Sequence, residues 1–269
     1  MKNKILSSLF FVLFTVMSFQ ALGFELPEFS TSDIPKIKYK NVSLNSLEDI
    51  EKYKNTEDLY SFSNVNLDLN SLTMNQKKTV FVELLLPAIE VVNSEINHNK
   101  QIVKKLSKKE FLSEKEYRYA KSLFKKYRVP YGKWKELDDR LLIYPTSLIL
   151  TQGALESAWG TSRFFKEGNN LFGIWSTNPN EPRIPAKGSR ADGFRPHLKK
   201  YNSIKESVAD IVLTLSRGNP YKKLRRFIRE NKSPEEIAQG LASYSEEGEL
   251  YVRKVISTLK RNNFTEYDS

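Results

Sequence analysis

Apolar residues recur at helical spacing over most of the chain from Asn75 onward, and this periodicity constrains the fold more than any other feature. The first helical run contains Pro87, which we expect to kink or divide it. Ser-x-x-Glu capping boxes mark where later helices begin, at Ser113, Ser203 and Ser233. The sequence therefore predicts one mainly α-helical domain over residues 75–269.

The N-terminal part differs from this helical region. Residues 1–23 combine Lys2 and Lys4 with an apolar run and a final Ala-Leu-Gly, which is typical of a secretory signal peptide; a retained anchor is the alternative. Residues 24–74 are polar and show no sustained period, so we predict an exposed or partly ordered N-terminal arm. Two interpretations of this arm stay open, a partner-binding segment and an inhibitory flap.

The residue types that are missing exclude several kinds of chemistry. The chain has no cysteine, so disulfides, thiolate catalysis and cysteine-based metal sites are excluded. It has two histidines and no His-Glu-x-x-His motif, which disfavours metal-dependent hydrolysis. The Gly-x-Ser-x-Gly motif of serine hydrolases and a phosphate-binding glycine loop are also missing. Carboxylate chemistry remains, and we expect neither a metal nor a cofactor.

The charge of the chain indicates the kind of partner. The formal net charge is +11, and removing the two lysines of the predicted signal peptide leaves +9. A basic exported protein favours an anionic partner. Outside the cytoplasm we expect an acidic cell-wall polymer or an anionic lipid surface rather than nucleic acid. The alternative is that the lysines only keep the protein soluble.

Glu156 lies in a run of apolar and small residues, in the last turn of a helix predicted to start at Pro145. The negative end of the helix dipole and partial burial would both raise the pKa of this carboxyl. Cleavage of a glycosidic bond needs such a protonated acid beside a sugar-binding groove. A structural salt bridge is an equally good interpretation from the chemistry alone.

The segments after Glu156 add features that a sugar-binding site requires. The loop GNNLFGIW at 168–175 supplies amides and aromatic rings, although the ring of Phe172 suits a core position as well. Residues 176–200 are rich in proline, glycine and charge, which predicts a long loop or a small β-lobe between helices.

Two motifs taken together resemble glycoside hydrolase family 73. These are ALESAWG at 154–160 and NLFGI at 170–174, and the pair is more specific than either half. The chain is most similar to the Bax-like branch of these peptidoglycan-cleaving glucosaminidases. Further similar segments are NPYKKL at 219–224 and YSEEGELY at 244–251, and the resemblance covers about residues 145–262.

The resemblance implies a lysozyme-like α+β domain with a small β-lobe flanking a cleft. It implies endo-β-N-acetylglucosaminidase activity on peptidoglycan glycan strands, with Glu156 as general acid. Together with the loop composition, it suggests six substrate-binding residues: Tyr244, Trp159, Asn170, Phe172, Trp175 and Tyr201. No matched motif contains the second carboxylate; Asp192 is our first candidate and Glu181 the second. A substrate-assisted route through the sugar acetamido group is the alternative.

Two other functions stay open at this point. A lytic transglycosylase on the same fold would also need one glutamate, because the muramyl 6-hydroxyl attacks internally. A non-catalytic wall-binding protein would keep the cleft without using Glu156. The Asn-Leu-Phe-Gly loop favours the hydrolase, and the Bax-like branch implies a periplasmic protein with no stable membrane insertion once the signal peptide is removed.

Overall fold

Helices make up most of the chain that the structure describes. The computed structural model describes residues 36–188, 193 and 195–268, so the predicted signal peptide lies outside the described residues. The α-helices in the described part are α1 (Leu47–Lys54), α2 (Met74–Leu106), α3 (Glu114–Tyr127), α4 (Trp134–Arg140), α5 (Thr146–Ser157), α6 (Arg163–Gly168), α7 (Ile204–Arg217), α8 (Lys222–Arg229), α9 (Pro234–Ala238) and α10 (Glu249–Arg261). The strands are β1 (Lys40–Leu44), β2 (Tyr60–Val65), β3 (Arg183–Pro185) and β4 (His197–Lys199). Short 3₁₀ turns cover Leu69–Ser71, Asn219–Tyr221, Gln239–Leu241 and Phe264–Tyr267.

The long helix α2 organises the core. It begins at a capping box formed by Thr73 and Gln76 and packs against α4, α5, α7 and β2. Pro87 lies inside α2 and does not divide it, so the helix is continuous over 33 residues. Its neighbours Leu85 and Ala88 are fully buried. Packing against the surrounding elements therefore outweighs the backbone hydrogen bond that a proline removes.

Capping boxes begin α3 at Ser113 and α9 at Ser233, as the sequence predicts. The third predicted box, at Ser203 before α7, is only half formed. The Ser203 hydroxyl accepts from the Glu206 N–H, but the Glu206 carboxylate accepts from the N–H of Asn202. The predicted start of the helix is nevertheless confirmed.

The described part of the predicted N-terminal arm is folded rather than exposed. β1 and β2 pair in parallel, and α1 connects them. Leu44, Phe62 and Leu69 are buried in the same core as α2. Residues 36–74 are therefore ordered and packed on the core, where the sequence predicts an exposed or partly ordered arm. The apolar residues there show no sustained helical period, so only the packing against α2 reveals that they complete its core.

The region predicted as a long loop or small β-lobe contains the antiparallel hairpin of β3 and β4. Ile184 pairs with Leu198, and an isolated bridge joins Trp175 to Leu198, which attaches the hairpin to the preceding loop. The prediction of a mainly α-helical domain with a small β-lobe is confirmed. No helix among the described residues has both the length and the apolar character needed to cross a membrane.

Candidate active site

Glu156 lies in the last turn of α5, as the sequence predicts. The chain after this helix turns sharply, because Ala158, Trp159 and Gly160 all have positive φ angles, of 50°, 59° and 76°. The Ser157 hydroxyl stabilises the turn by accepting from the Gly160 N–H at 2.9 Å. The rest of α5 is almost entirely buried, so the helix holds Glu156 on a rigid support.

The Glu156 carboxyl is half-buried, and burial raises its pKa above the ordinary value. A hydrogen bond from the Tyr251 hydroxyl has the opposite effect, because it stabilises the carboxylate. The nearby charges oppose each other: the Glu247 carboxylate raises the pKa and the Lys254 ammonium lowers it. Glu247 and Lys254 form an ion pair at 2.6 Å beside the acid.

Gly173 lies in the loop that faces Glu156. A side-chain carbon at this position would lie 3.8 Å from Glu156 Oε2, so a glycine here leaves that face of the carboxyl uncovered. The Tyr244 hydroxyl donates to the Phe172 carbonyl at 2.8 Å and so holds this loop next to the acid. The Tyr244 ring stacks on Tyr251, with ring centres 5.3 Å apart. Tyr244 therefore joins Tyr251 to the loop that faces the acid.

Asn170 has a structural role that the sequence analysis did not predict. It is buried, and its Nδ2 donates to the carbonyls of Ile174 and Lys199 at 3.0 and 2.8 Å. Its Oδ1 accepts from the Ile174 N–H at 3.1 Å. Both amide donors are used within the protein, so Asn170 shapes the loop, and its role in substrate binding stays a prediction.

Three other predicted substrate-binding residues also have their side chains occupied within the protein. The ring of Trp159 packs against Phe81 and Phe264, under the Lys78 ammonium. Phe172 is 2% exposed and belongs to the core. The Tyr201 hydroxyl donates to Asp210 at 2.8 Å. Each of these three side chains therefore has packing or hydrogen-bonding partners within the protein, and its role in substrate binding stays a prediction.

Trp175 differs from these residues, since it is 46% exposed beside the β3–β4 hairpin. Of the predicted aromatic residues, it presents the most accessible ring for stacking on a sugar.

The two candidates for a second carboxylate have different outcomes. Glu181 lies in the turn before β3, and its charge raises the pKa of Tyr201. The charges that shift the pKa of Glu156 come instead from Glu247 and Lys254. Asp192 lies outside the described residues. The described residues contain no group of three histidine or carboxylate side chains arranged to hold a metal ion.

A cavity of about 560 Å³ lies elsewhere, between the N-terminal segment and α6. Its lining includes Asn64, Leu69, Lys166 and Asn202, and it does not include Glu156. An ion pair between Asp68 and Lys166 at 3.2 Å spans this junction. The cavity is therefore separate from the candidate active site.

Three side chains beside the acid are not predicted from the sequence: Tyr251, Glu247 and Lys254. Tyr251 ends the YSEEGELY segment, so its motif was visible but not its contact with Glu156. Gln152 lies one turn before Glu156 on α5, as a buried polar residue in an apolar helix. Its spacing of four residues from Glu156 places both on one helix face.

Comparisons with known proteins identify the relatives of this part of the chain. The glucosaminidase family model, described as mannosyl-glycoprotein endo-β-N-acetylglucosaminidase, matches residues 132–264, which include Glu156, Tyr244 and Tyr251. Protein bax of Escherichia coli (strain K12) is 27% identical over 187 residues. That match covers 65% of this chain and 66% of the relative, just under two thirds of its length.

Two solved structures are also similar to the chain. One is the catalytic domain of the autolysin Auto from Listeria monocytogenes, with 26% identity, coverage of 63% of this chain and 86% of that chain, and a TM-score of 0.38. The other is the glycoside hydrolase domain of FlgJ from Salmonella typhimurium, with 20% identity, coverage of 62% and 89%, and a TM-score of 0.33.

Proposed function

Since residues 132–264 of this chain belong to the glucosaminidase family of glycoside hydrolases, we propose that the protein cleaves peptidoglycan glycan strands at N-acetylglucosamine, with Glu156 as the general acid. The observation that carries the proposal is the state of this carboxyl. It is half-buried at the rigid end of α5, its pKa is raised by burial, and one of its faces is left uncovered by Gly173.

The proposed reaction begins with a proton transfer from Glu156 to the glycosidic oxygen, which breaks the bond to the leaving sugar. The carboxylate that remains accepts a hydrogen bond from the Tyr251 hydroxyl and lies near the Lys254 ammonium. Both groups stabilise the negative charge that the transfer leaves on Glu156. Burial favours the protonated acid before the step, and these two groups favour its loss of the proton during the step.

The group that acts on the anomeric carbon stays a proposal with two alternatives. Asp192, on the segment between β3 and β4, is the first candidate, and Glu181 is less favoured because its charge acts on Tyr201. The second alternative is the acetamido oxygen of the substrate itself. Trp175 is proposed to stack on a sugar ring, and Tyr244 to hold the loop at the scissile sugar.

The substrate and the location rest on further features of the chain. The net charge of +11 favours association with an acidic wall polymer. Residues 1–23 favour export, and the similarity to the Bax-like branch favours the periplasm. In this proposal the protein acts on the wall without a metal or cofactor.

The test is mass spectrometry of the sugar ends that the purified protein releases from peptidoglycan, compared with Glu156→Gln. We expect reducing N-acetylglucosamine ends, reduced at least about 100-fold in Glu156→Gln, because a general acid contributes about 10²–10⁴ in rate. Glu249→Gln, an exposed carboxyl at the start of α10, is the matched control and should retain activity. Anhydro-muramyl ends would instead indicate a lytic transglycosylase, and no new ends from folded protein would overturn both enzymatic functions.

A further inference from the structure

A buried chain of polar side chains leads away from Glu156 into the core. The Tyr144 hydroxyl donates to Gln152 Oε1 at 2.8 Å, and Gln152 Nε2 donates to the Tyr251 oxygen at 3.4 Å. Tyr144 and Gln152 are fully buried, and Tyr251 is 4% exposed. The Tyr251 hydroxyl in turn acts as a donor toward the Glu156 carboxyl and lowers its pKa.

The chemistry of these groups gives the chain a direction. A glutamine amide has one end that only donates and one end that only accepts. Tyr144 donates to the accepting end, so the donating end is turned toward Tyr251. The Tyr251 oxygen then accepts from Gln152, which leaves its own hydrogen for Glu156. Reversing the amide would make Gln152 compete with Glu156 for that hydrogen and would take from Tyr144 its buried acceptor.

We propose that Gln152 and Tyr144 are positioning residues, which orient the Tyr251 hydroxyl so that its hydrogen is donated to Glu156. Neither residue touches the substrate in this arrangement. They act through Tyr251, whose ring is fixed from the other side by stacking on Tyr244. The inference rests on the proposed role of Glu156 as the acid.

The other groups near Glu156 do not supply this hydrogen bond. From α10, the Lys254 ammonium is paired with Glu247, and Glu247 itself lies in the loop before α10. The Tyr244 hydroxyl is committed to the Phe172 carbonyl. Among these groups, Tyr251 is therefore the one that can donate a hydrogen bond to the Glu156 carboxylate.

The experiment is a ¹³C NMR titration of the Glu156 carboxyl in the whole protein labelled with ¹³C-glutamate, with the signal assigned by its loss in Glu156→Gln. Tyr251→Phe should raise the titration midpoint by about one pH unit, the equivalent of one hydrogen bond to a charged group. Tyr144→Phe and Gln152→Met should move it in the same direction, and by less. This measurement needs no substrate, so it tests the positioning role even if the proposed activity fails.

A double-mutant cycle separates positioning from ordinary structural support. In the Tyr251→Phe background, Tyr144→Phe should cause no further shift, because the hydroxyl it orients is gone. Tyr127→Phe removes another buried tyrosine hydroxyl, on α3, and should leave the titration unchanged. In active protein, Tyr144→Phe should lower kcat and leave KM unchanged.

Two results would overturn the inference. One is a Tyr144→Phe variant that has a lower Tm but titrates like the unmodified protein. The other is a double variant in which the shift of the Glu156 titration midpoint equals the sum of the shifts caused by Tyr144→Phe and Tyr251→Phe alone. If either Tyr144→Phe or Gln152→Met does not fold, the Glu156 titration of the other variant tests the positioning role.

Discussion

At the scale of single residues, the proton on Glu156 links the pH of the solution to the stability of the fold. Burial raises the pKa of Glu156 in the folded chain above the ordinary value. The folded state therefore binds this proton more tightly than the unfolded state does. The resulting stabilisation is fully present below the unfolded pKa and is lost as the pH rises through the folded pKa.

This linkage predicts how Glu156→Gln changes stability. The variant should be more stable than the unmodified protein at about pH 8, because it removes a half-buried negative charge, and the advantage should shrink toward about pH 4. The measurement is thermal unfolding of both proteins at the two pH values. Glu249→Gln, which removes an exposed carboxyl, controls for the loss of one charge. If Tm differs between Glu156→Gln and the unmodified protein by the same amount at both pH values, the prediction is contradicted.

The same pKa direction predicts the pH dependence of the proposed activity. A general acid works in its protonated form, so activity should persist above the ordinary pKa of a glutamate and fall as the pH rises through the raised value. This alkaline loss of activity should move upward in Tyr251→Phe, because that variant removes the hydrogen bond that favours the carboxylate.

At the scale of structural elements, the loop from Asn169 to Trp175 connects α6 to the β3–β4 hairpin and brings Gly173 to the acid. Asn170 determines its shape through hydrogen bonds to Ile174 and Lys199. Backbone groups of both the loop and β4 are therefore held by one buried amide. This geometry gives the asparagine of the Asn-Leu-Phe-Gly motif a structural role.

Asn170→Ala should destabilise the protein by about 2–4 kcal/mol, because it removes three buried hydrogen bonds and leaves their backbone partners unsatisfied. The proposed activity should fall as well, since Gly173 would no longer be held at Glu156. Chemical denaturation measures the first effect, and sugar release measures the second. Asn180→Ala, on the exposed turn before β3, is the control and should behave like the unmodified protein. A normal denaturation midpoint for Asn170→Ala would show that the amide does not hold the loop.

At the scale of the whole molecule, residues 36–74 belong to the fold, although they lie outside the residues that the family model matches. β2 packs against α2 and α7, and Leu69 lies against Gly160 at the turn that follows Glu156. The N-terminal segment therefore supports both the central helix and the turn after the acid. Residues 24–35 of the predicted arm lie outside the described residues.

Phe62→Ala should therefore cost about 3–5 kcal/mol, and Leu69→Ala about 2–5 kcal/mol, as expected for large side chains removed from a core. Leu47→Ala is the matched control, because Leu47 is 39% exposed on α1, and it should cost about 0.5 kcal/mol or less. Thermal unfolding of the three variants tests this. If Phe62→Ala melts like the control, the segment does not contribute to the stability of the domain.

Several features of the protein follow from its sequence alone. Most helices after residue 74 follow from apolar periodicity and from capping residues three positions apart. The position of Glu156 in a last turn follows from the Pro145 start and the small residues after it. The paired motifs resemble the glucosaminidases, and the family match over residues 132–264 confirms this resemblance. These features are local: each depends on residues within one or two helical turns, or on a short motif.

The tertiary structure decided what each polar and aromatic side chain does. Gln152 meets Tyr251 across 99 residues of chain, and no local pattern records that contact. The side chains of Asn170 and Tyr201 suit sugar binding by composition, but their hydrogen bonds are already used within the protein. The apolar residues of the N-terminal segment also become a core only when α2 covers them. The physical reason is the same in each case: burial and hydrogen-bond satisfaction depend on neighbours that are distant in sequence and are brought together only by the fold.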